Sequence, residues 1–134
     1  MRRLSKGIRF VLAVYAVCFV GGSLNHARDI WVNGIFPHSS RPVFCHVFWT
    51  LLTFIDPIVP VLFWLRWIKT GVTLAATIML LDVGINTWYS ISYRESIYSG
   101  NVDLIAQTAF LAFVLGTCPV IWAASSRDSS DLNA

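Results

Sequence analysis

The sequence TGVTLAATIMLLDVGINTWYSISY, from Thr70 to Tyr93, decides the fold. As an α-helix this apolar run is about 36 Å long, enough to cross a hydrocarbon core of about 30 Å with some tilt. One acid, Asp82, lies at its centre, where an aspartate costs roughly 2.5 to 3.5 kcal/mol on insertion scales. We therefore expect Asp82 to face protein or water instead of lipid. Asn86, one turn later, shares its face.

The composition of the whole chain is that of an integral membrane protein. Of its 134 residues, 56% are hydrophobic and 13% are charged, and the mean hydropathy is +0.64. The charged residues gather between long apolar runs, which predicts one all-α transmembrane domain over residues 1–134. We predict a four-helix bundle in antiparallel up-down order, with transmembrane helices at about 8–25, 43–65, 70–93 and 104–124.

The polar segments between these runs predict the topology. We expect exterior loops at 26–42 and 94–103, a cytoplasmic turn at 66–69 and a disordered cytoplasmic tail at 125–134. Seven of the ten basic residues then lie on the cytoplasmic side, which indicates that both termini are cytoplasmic. Topology thus explains the net charge of +3, and we expect the lipid bilayer, not nucleic acid, as the partner. The predicted location is the cytoplasmic (inner) membrane.

The first apolar run follows a basic start and resembles a signal peptide, but Asn25-His26-Ala27 is a poor cleavage site. We expect the run to be retained as the first helix. Its Gly21-Gly22-Ser23 end is small enough for a neighbouring helix to approach closely. The first helix can also continue to about Trp31, which would set His26 and Asp29 on one face.

The second predicted helix contains a second central acid, in the sequence Asp56-Pro57, followed by Pro60. Each proline removes a backbone donor and clashes with the carbonyl four residues earlier. We therefore expect a kink around Thr53 to Asp56, with freed carbonyl groups that must find partners.

Asp56 and Asp82 form the most specific pattern in the sequence. Counted from the turn at 66–69, the two acids lie within about 5 Å of the same depth by helical rise. Such a pair can share a proton, bind a cation or hydrogen-bond an amine or hydroxyl of a ligand. Alternatively, each acid bonds to groups on neighbouring helices and holds them together. Each acid shares a polar stripe at helical spacing. On the second helix His46, Thr50 and Thr53 lead up to Asp56, and on the third Asn86, Tyr89, Ser90 and Tyr93 follow Asp82.

These two polar stripes predict a pocket that opens to the exterior and ends at the membrane midplane. We predict that it binds a small hydrophobic or cationic amphipathic molecule, anchored by Asp56 and Asp82 and oriented by Asn86, Thr53 and His46. The alternatives are a proton- or cation-coupled transporter or channel, working as a homo-oligomer, and an accessory subunit of a membrane complex. No catalytic motif predicts an enzyme, and we expect no cofactor.

The three histidines, His26, His38 and His46, all fall on the predicted exterior side. A metal site, or a haem between the first two helices, would use such residues. Their spacing does not match that of tight metal sites. We therefore expect interfacial histidines and no metal.

The layout of the first two helices is similar to that of sterol-isomerase and sigma-2-receptor-type membrane proteins. These have four helices, a His and an Asp at the outer end of the first, and an acid followed by two prolines in the second. The matching residues here are His26, Asp29 and Asp56. The resemblance implies a buried pocket in which paired acids hold a cationic amphipathic ligand or intermediate, and it offers no counterpart to Asp82.

Overall fold

A computed structural model describes residues 4–35, 42–93 and 102–130, and all regular secondary structure in these residues is α-helical. The helices are α1 (Lys6–Asn33), α2 (Val43–Ile55), α3 (Ile58–Trp64), α4 (Ile68–Ser92) and α5 (Val102–Ser130). Four stretches of the described chain are long and apolar enough to span a membrane: Lys6–Asn33, Val43–Trp64, Ile68–Ser92 and Leu104–Ser126. The predictions of an all-α fold and of four membrane spans are confirmed.

The helices form two compact units. The N-unit is Ser5–Trp67, in which α1 packs along α2 and α3. The C-unit is the described part of the chain from Ile68 onwards, in which α4 packs along α5. The predicted single domain, the up-down order across the membrane and the cytoplasmic position of the termini stay predictions.

The first helix is longer than the predicted 8–25. The Ser5 hydroxyl oxygen accepts the Ile8 N–H at 3.2 Å and caps its start. The helix ends at Gly34, whose φ of 81° suits a residue without a side chain. At about 42 Å, α1 exceeds the hydrocarbon thickness of about 30 Å. The segment predicted as an exterior loop at 26–42 thus begins as helix, and its residues 36–41 lie outside the described part of the chain.

The expected interruption of the second span is confirmed at Asp56-Pro57, between α2 and α3. The Asp56 N–H still donates to the Leu52 carbonyl at 3.0 Å. Pro60 cannot donate to the Asp56 carbonyl, and the Val59 N–H does so instead at 3.1 Å. At the break the Thr53 carbonyl loses its helical donor, because Pro57 lacks an N–H.

A tight turn joins α3 to α4. The Arg66 N–H donates to the Phe63 carbonyl at 3.1 Å and the Trp67 N–H to the Leu62 carbonyl at 2.8 Å. This is the Schellman pattern, which usually has glycine in the left-handed position. Here Arg66 occupies that position with a φ of 63°.

The C-unit consists of two long helices. Because α5 continues through Ser130, the first residues of the predicted tail at 125–134 are helical. Residues 94–101 and 131–134 lie outside the described chain. Four threonines, Thr73, Thr77, Thr108 and Thr117, each donate to the carbonyl four residues earlier in their own helix. These hydroxyls are therefore satisfied without a partner helix.

Candidate functional site

The first buried acid, Asp56, lies at the helix break and is 4% exposed. Its carboxylate packs against the backbone of α1, since a Cβ atom built on Gly22 would lie 2.9 Å from Asp56 Oδ2. A Cβ on Gly21 would meet nothing within 4 Å. The predicted close approach at the small end of the first helix therefore occurs at Gly22.

The carbonyl that Pro57 leaves without its helical donor is satisfied by α1. The Ser23 hydroxyl donates to the Thr53 carbonyl oxygen at 2.8 Å. A carbonyl group that has no hydrogen-bond donor inside a membrane span costs several kcal/mol, because hydrocarbon offers no water to replace the donor. Ser23 thus compensates for the proline and joins α1 to the break in the second span.

The side chain of Thr53 differs from the four threonines that bond back to their own helix. Its hydroxyl oxygen is buried and has no hydrogen-bond partner among the described residues. A buried hydroxyl in that condition costs about 1 to 3 kcal/mol. Thr53 lies one turn before Asp56, so a hydroxyl able to donate and accept lies on the approach to a buried carboxylate.

A small cleft lies between α1 and α2, further along the same interface. It encloses about 10 Å³, which is close to the volume of about 10 to 15 Å³ that one water molecule needs. The lining residues are His26, Asp29, Ile30, Gly34, Ile35, His46, Trp49 and Thr50. The Trp49 indole meets the His46 ring edge-on, with 6.3 Å between ring centroids. The cleft includes neither Asp56 nor Asp82.

The structure brings together two of the three histidines, His26 and His46, at this cleft. His38 lies outside the described residues. Nowhere in the described ranges do three His, Cys, Asp or Glu side chains form a group that could hold a metal ion. Asp29, which also lines the cleft, accepts a hydrogen bond of 2.6 Å from the Asn33 side chain.

These contacts follow one antiparallel register along α1 and α2. Gly22 lies beside Asp56, Ser23 beside Thr53, and the cleft follows towards the end of α1 and the start of α2. We call this interface the polar seam and define it as Ser23, His26 and Asp29 of α1, His46, Thr50 and Thr53 of α2, and Asp56 at the end of α2. Polar groups therefore continue from the cleft to the buried acid along the interface of the two spans.

The second buried acid, Asp82, is 6% exposed and belongs to a network within the C-unit. The Asn86 side-chain amide donates to Asp82 Oδ1 at 2.9 Å and to Gln107 Oε1, on α5, at 3.0 Å. Sequence reasoning did not include Gln107 in the site. The signal that could have indicated Gln107 is its side-chain amide, which lies alone in an apolar span. Tyr89, in the last turn of α4, is buried, whereas Tyr93, just after the end of α4, is 43% exposed.

The predicted site residues are divided between the two units. Asp56, Thr53 and His46 lie on the polar seam of the N-unit, and Asp82 and Asn86 lie in the α4–α5 network of the C-unit. That they line one common pocket stays a prediction. Each unit separately offers a buried carboxylate with a neighbouring group that can donate a hydrogen bond.

The chain matches no protein-family model, no curated protein and no solved structure. The chemistry of the two acids and their neighbours is therefore the basis for a function. A carboxylate and a hydroxyl one turn apart can together bind an amine, a hydroxyl or water, and can pass a proton between them.

Proposed function

We propose that this integral membrane protein binds a small hydrophobic or amphipathic molecule, with Asp56 and Asp82 as polar anchors. Two carboxylates are kept inside apolar spans, where aspartate is costly. An acid in that position is by default a candidate for function because a leucine or alanine would cost the membrane span nothing.

The observation that carries the proposal is the buried Thr53 hydroxyl without a hydrogen-bond partner among the described residues, one turn from Asp56. A purely structural site would be expected to satisfy that hydroxyl, as the hydroxyls of Thr73, Thr77, Thr108 and Thr117 are satisfied by their own helices. A ligand amine or hydroxyl would bond to the carboxylate and to Thr53 together. Its apolar part would lie between the helices.

Asp82 is the less well supported of the two anchors. Asn86 already bonds to Asp82 and Gln107, and the same contacts hold α4 and α5 together. Asp82 and Asn86 would orient the ligand by the acceptor capacity left on their oxygens. His46, at the cleft, would orient a polar group nearer the surface. Asp56 and Thr53 therefore carry more of the proposal than Asp82 and Asn86.

The test is native mass spectrometry of the detergent-released protein, the variants Asp56→Asn and Asp82→Asn, and the matched control Asp131→Asn in the terminal segment. We expect a retained small molecule in the parent and in Asp131→Asn, and its loss from Asp56→Asn while the helical circular dichroism is unchanged. Equal retention in all four proteins, or bare protein in all four, contradicts the proposal. The same spectra give the oligomeric state and show any second protein chain.

A proton- or cation-coupled transporter is the second candidate, favoured by the polar seam that joins the cleft to Asp56. It predicts that proteoliposomes containing a pH-sensitive dye dissipate an imposed pH difference and that Asp56→Asn abolishes this flux. Flux that is equal in the parent and the variant would rule the candidate out.

A further inference from the structure

We propose that Asp56 exchanges protons with the aqueous phase through the polar seam, with the Thr53 hydroxyl as the relay between the cleft and the carboxylate. The route is independent of the ligand proposal, because it requires only water and hydronium. The route also implies a side: Asp56 exchanges protons with the water on the side of the membrane where the cleft opens.

The spacing of polar groups along α2 suits such a route. His46, Thr50, Thr53 and Asp56 follow one another at intervals of three or four residues, so each step rises about 4.5 to 6 Å. One water molecule making hydrogen bonds of about 2.8 Å on either side bridges a gap of that size. A chain of alternating side chains and waters can thus reach from the cleft to the carboxylate.

The outer end of the route is the cleft. Its volume of about 10 Å³ fits about one water. The titratable groups that face it are His26 and Asp29 from α1 and His46 from α2. The third element of the unit, α3, has the sequence IVPVLFW and contributes no titratable group. A proton that enters the cleft therefore has one line of polar groups to follow towards Asp56, the line along α2.

Two hydroxyls lie at the inner end of the seam, and their hydrogen bonds differ. The Ser23 hydrogen is committed to the Thr53 carbonyl, which needs it because Pro57 has no N–H. The Thr53 hydroxyl is buried and has no hydrogen-bond partner in the described chain, so it can accept from a water and donate towards Asp56. The Thr53 hydroxyl, and not that of Ser23, is therefore the proton relay.

The proton transfer is balanced without any further reactant. A hydronium at the cleft gives its proton to a water bonded to Thr53 and becomes water. The Thr53 hydroxyl accepts that proton as it releases its own, and an O–H bond forms on the Asp56 carboxylate, which becomes a neutral carboxylic acid. The reverse sequence returns the proton to the cleft.

The experiment is time-resolved infrared spectroscopy of the full chain in lipid nanodiscs, with ¹³C-labelled aspartate, after rapid exchange into D₂O. The Asp56 carboxyl band is assigned by its loss in Asp56→Asn. We expect Thr53→Val, which keeps the shape but removes the hydroxyl, to slow H/D exchange at Asp56 by about tenfold, the rate effect of one lost hydrogen bond. Thr53→Ser, which retains a hydroxyl, is expected to exchange at the parent rate.

The controls separate the relay from a structural effect. Thr108→Val removes a hydroxyl that bonds within its own helix and is expected to leave exchange at Asp56 unchanged. The Asp82 band within the same samples is expected to be unaffected by Thr53→Val. The proposal is overturned if Asp56 in the parent does not exchange, if Thr53→Val exchanges at the parent rate, or if Thr53→Ser is as slow as Thr53→Val. Each result is independent of whether the mass spectra show a retained ligand.

Discussion

The Ser23 hydroxyl on α1 donates a hydrogen bond of 2.8 Å to the Thr53 carbonyl on α2. That carbonyl has no helical donor, because the residue four positions later is Pro57. One serine thus satisfies the backbone defect that a proline creates on the neighbouring helix. The proline break, and the acid within it, can be kept because α1 supplies this donor.

We predict that Ser23→Ala destabilises the protein by about 1 to 3 kcal/mol, since it leaves a buried carbonyl without a donor. The measurement is thermal or denaturant unfolding in a fixed detergent. Ser126→Ala is the matched control because the Ser126 hydroxyl is exposed and bonds to the Trp122 carbonyl of its own helix; we expect a change within about 0.5 kcal/mol.

The same explanation can be tested by restoring the missing donor. Pro57→Ala supplies an N–H four residues after Thr53, so Ser23→Ala should cost less in the Pro57→Ala background than in the parent. A double-mutant cycle measures this coupling. Equal costs in the two backgrounds would show that Ser23 does not act by compensating for the proline.

Gly22 and Gly21 are expected to respond in opposite directions to substitution by alanine. A Cβ on Gly22 would lie 2.9 Å from Asp56 Oδ2, whereas one on Gly21 meets nothing within 4 Å. Gly22→Ala should cost about 1 to 3 kcal/mol by crowding a short side chain held at the helix break. Gly21→Ala should be neutral or stabilise by up to about 1 kcal/mol, as expected for glycine replaced inside a helix. Unfolding in detergent distinguishes the two, and the combination of Gly22→Ala with Asp56→Ala should recover part of the loss.

The bridge made by Asn86 is expected to contribute to the packing of α4 on α5. Its amide contacts Asp82 and Gln107 at 2.9 and 3.0 Å. We predict a coupling of about 0.6 kcal/mol, within a range up to about 1.7, between Asn86→Ala and Gln107→Ala in a double-mutant cycle, as is typical of hydrogen bonds between membrane helices. Pairing Asn86→Ala with Thr108→Val should give no coupling, because the Thr108 hydroxyl bonds to its own helix. Coupling of equal size in both pairs would contradict the bridge.

The left-handed turn residue offers a stabilising substitution. Arg66 has a φ of 63°, a conformation that costs a residue with a side chain about 1 to 2 kcal/mol relative to glycine. Arg66→Gly should therefore raise the midpoint of thermal unfolding. Arg66→Val should lower it, because a β-branched residue tolerates positive φ least. If Arg66→Gly is less stable than the parent, the arginine side chain has a stabilising contact that outweighs the backbone cost.

Much of the architecture could be predicted from the sequence because its causes are local. The lengths of the apolar runs predicted four spans, and Asp56-Pro57 with Pro60 predicted the interruption of the second. A proline removes its donor in any tertiary context. The end of the first helix was less predictable, because polar residues in Asn25–Asn33 suit a loop as well as an exposed helix.

The candidate site was predictable only in part. The acids stand out in apolar runs, and the structure places both in buried positions. The partners of their neighbours did not follow from the sequence. Gln107, which receives the second hydrogen bond of Asn86, lies on another helix.

The sequence by itself therefore determined the class of the protein, the number of spans, the helix break and the two buried acids. The tertiary structure decided which side of each helix meets its neighbour. In the tertiary structure Gly22, and not Gly21, lies against Asp56, and the Ser23 hydroxyl donates a hydrogen bond to the Thr53 carbonyl. The physical reason is that a helix in lipid is apolar on its protein side and on its lipid side alike. Its rotation about its own axis is set by close packing and hydrogen bonds between helices, which no single segment contains.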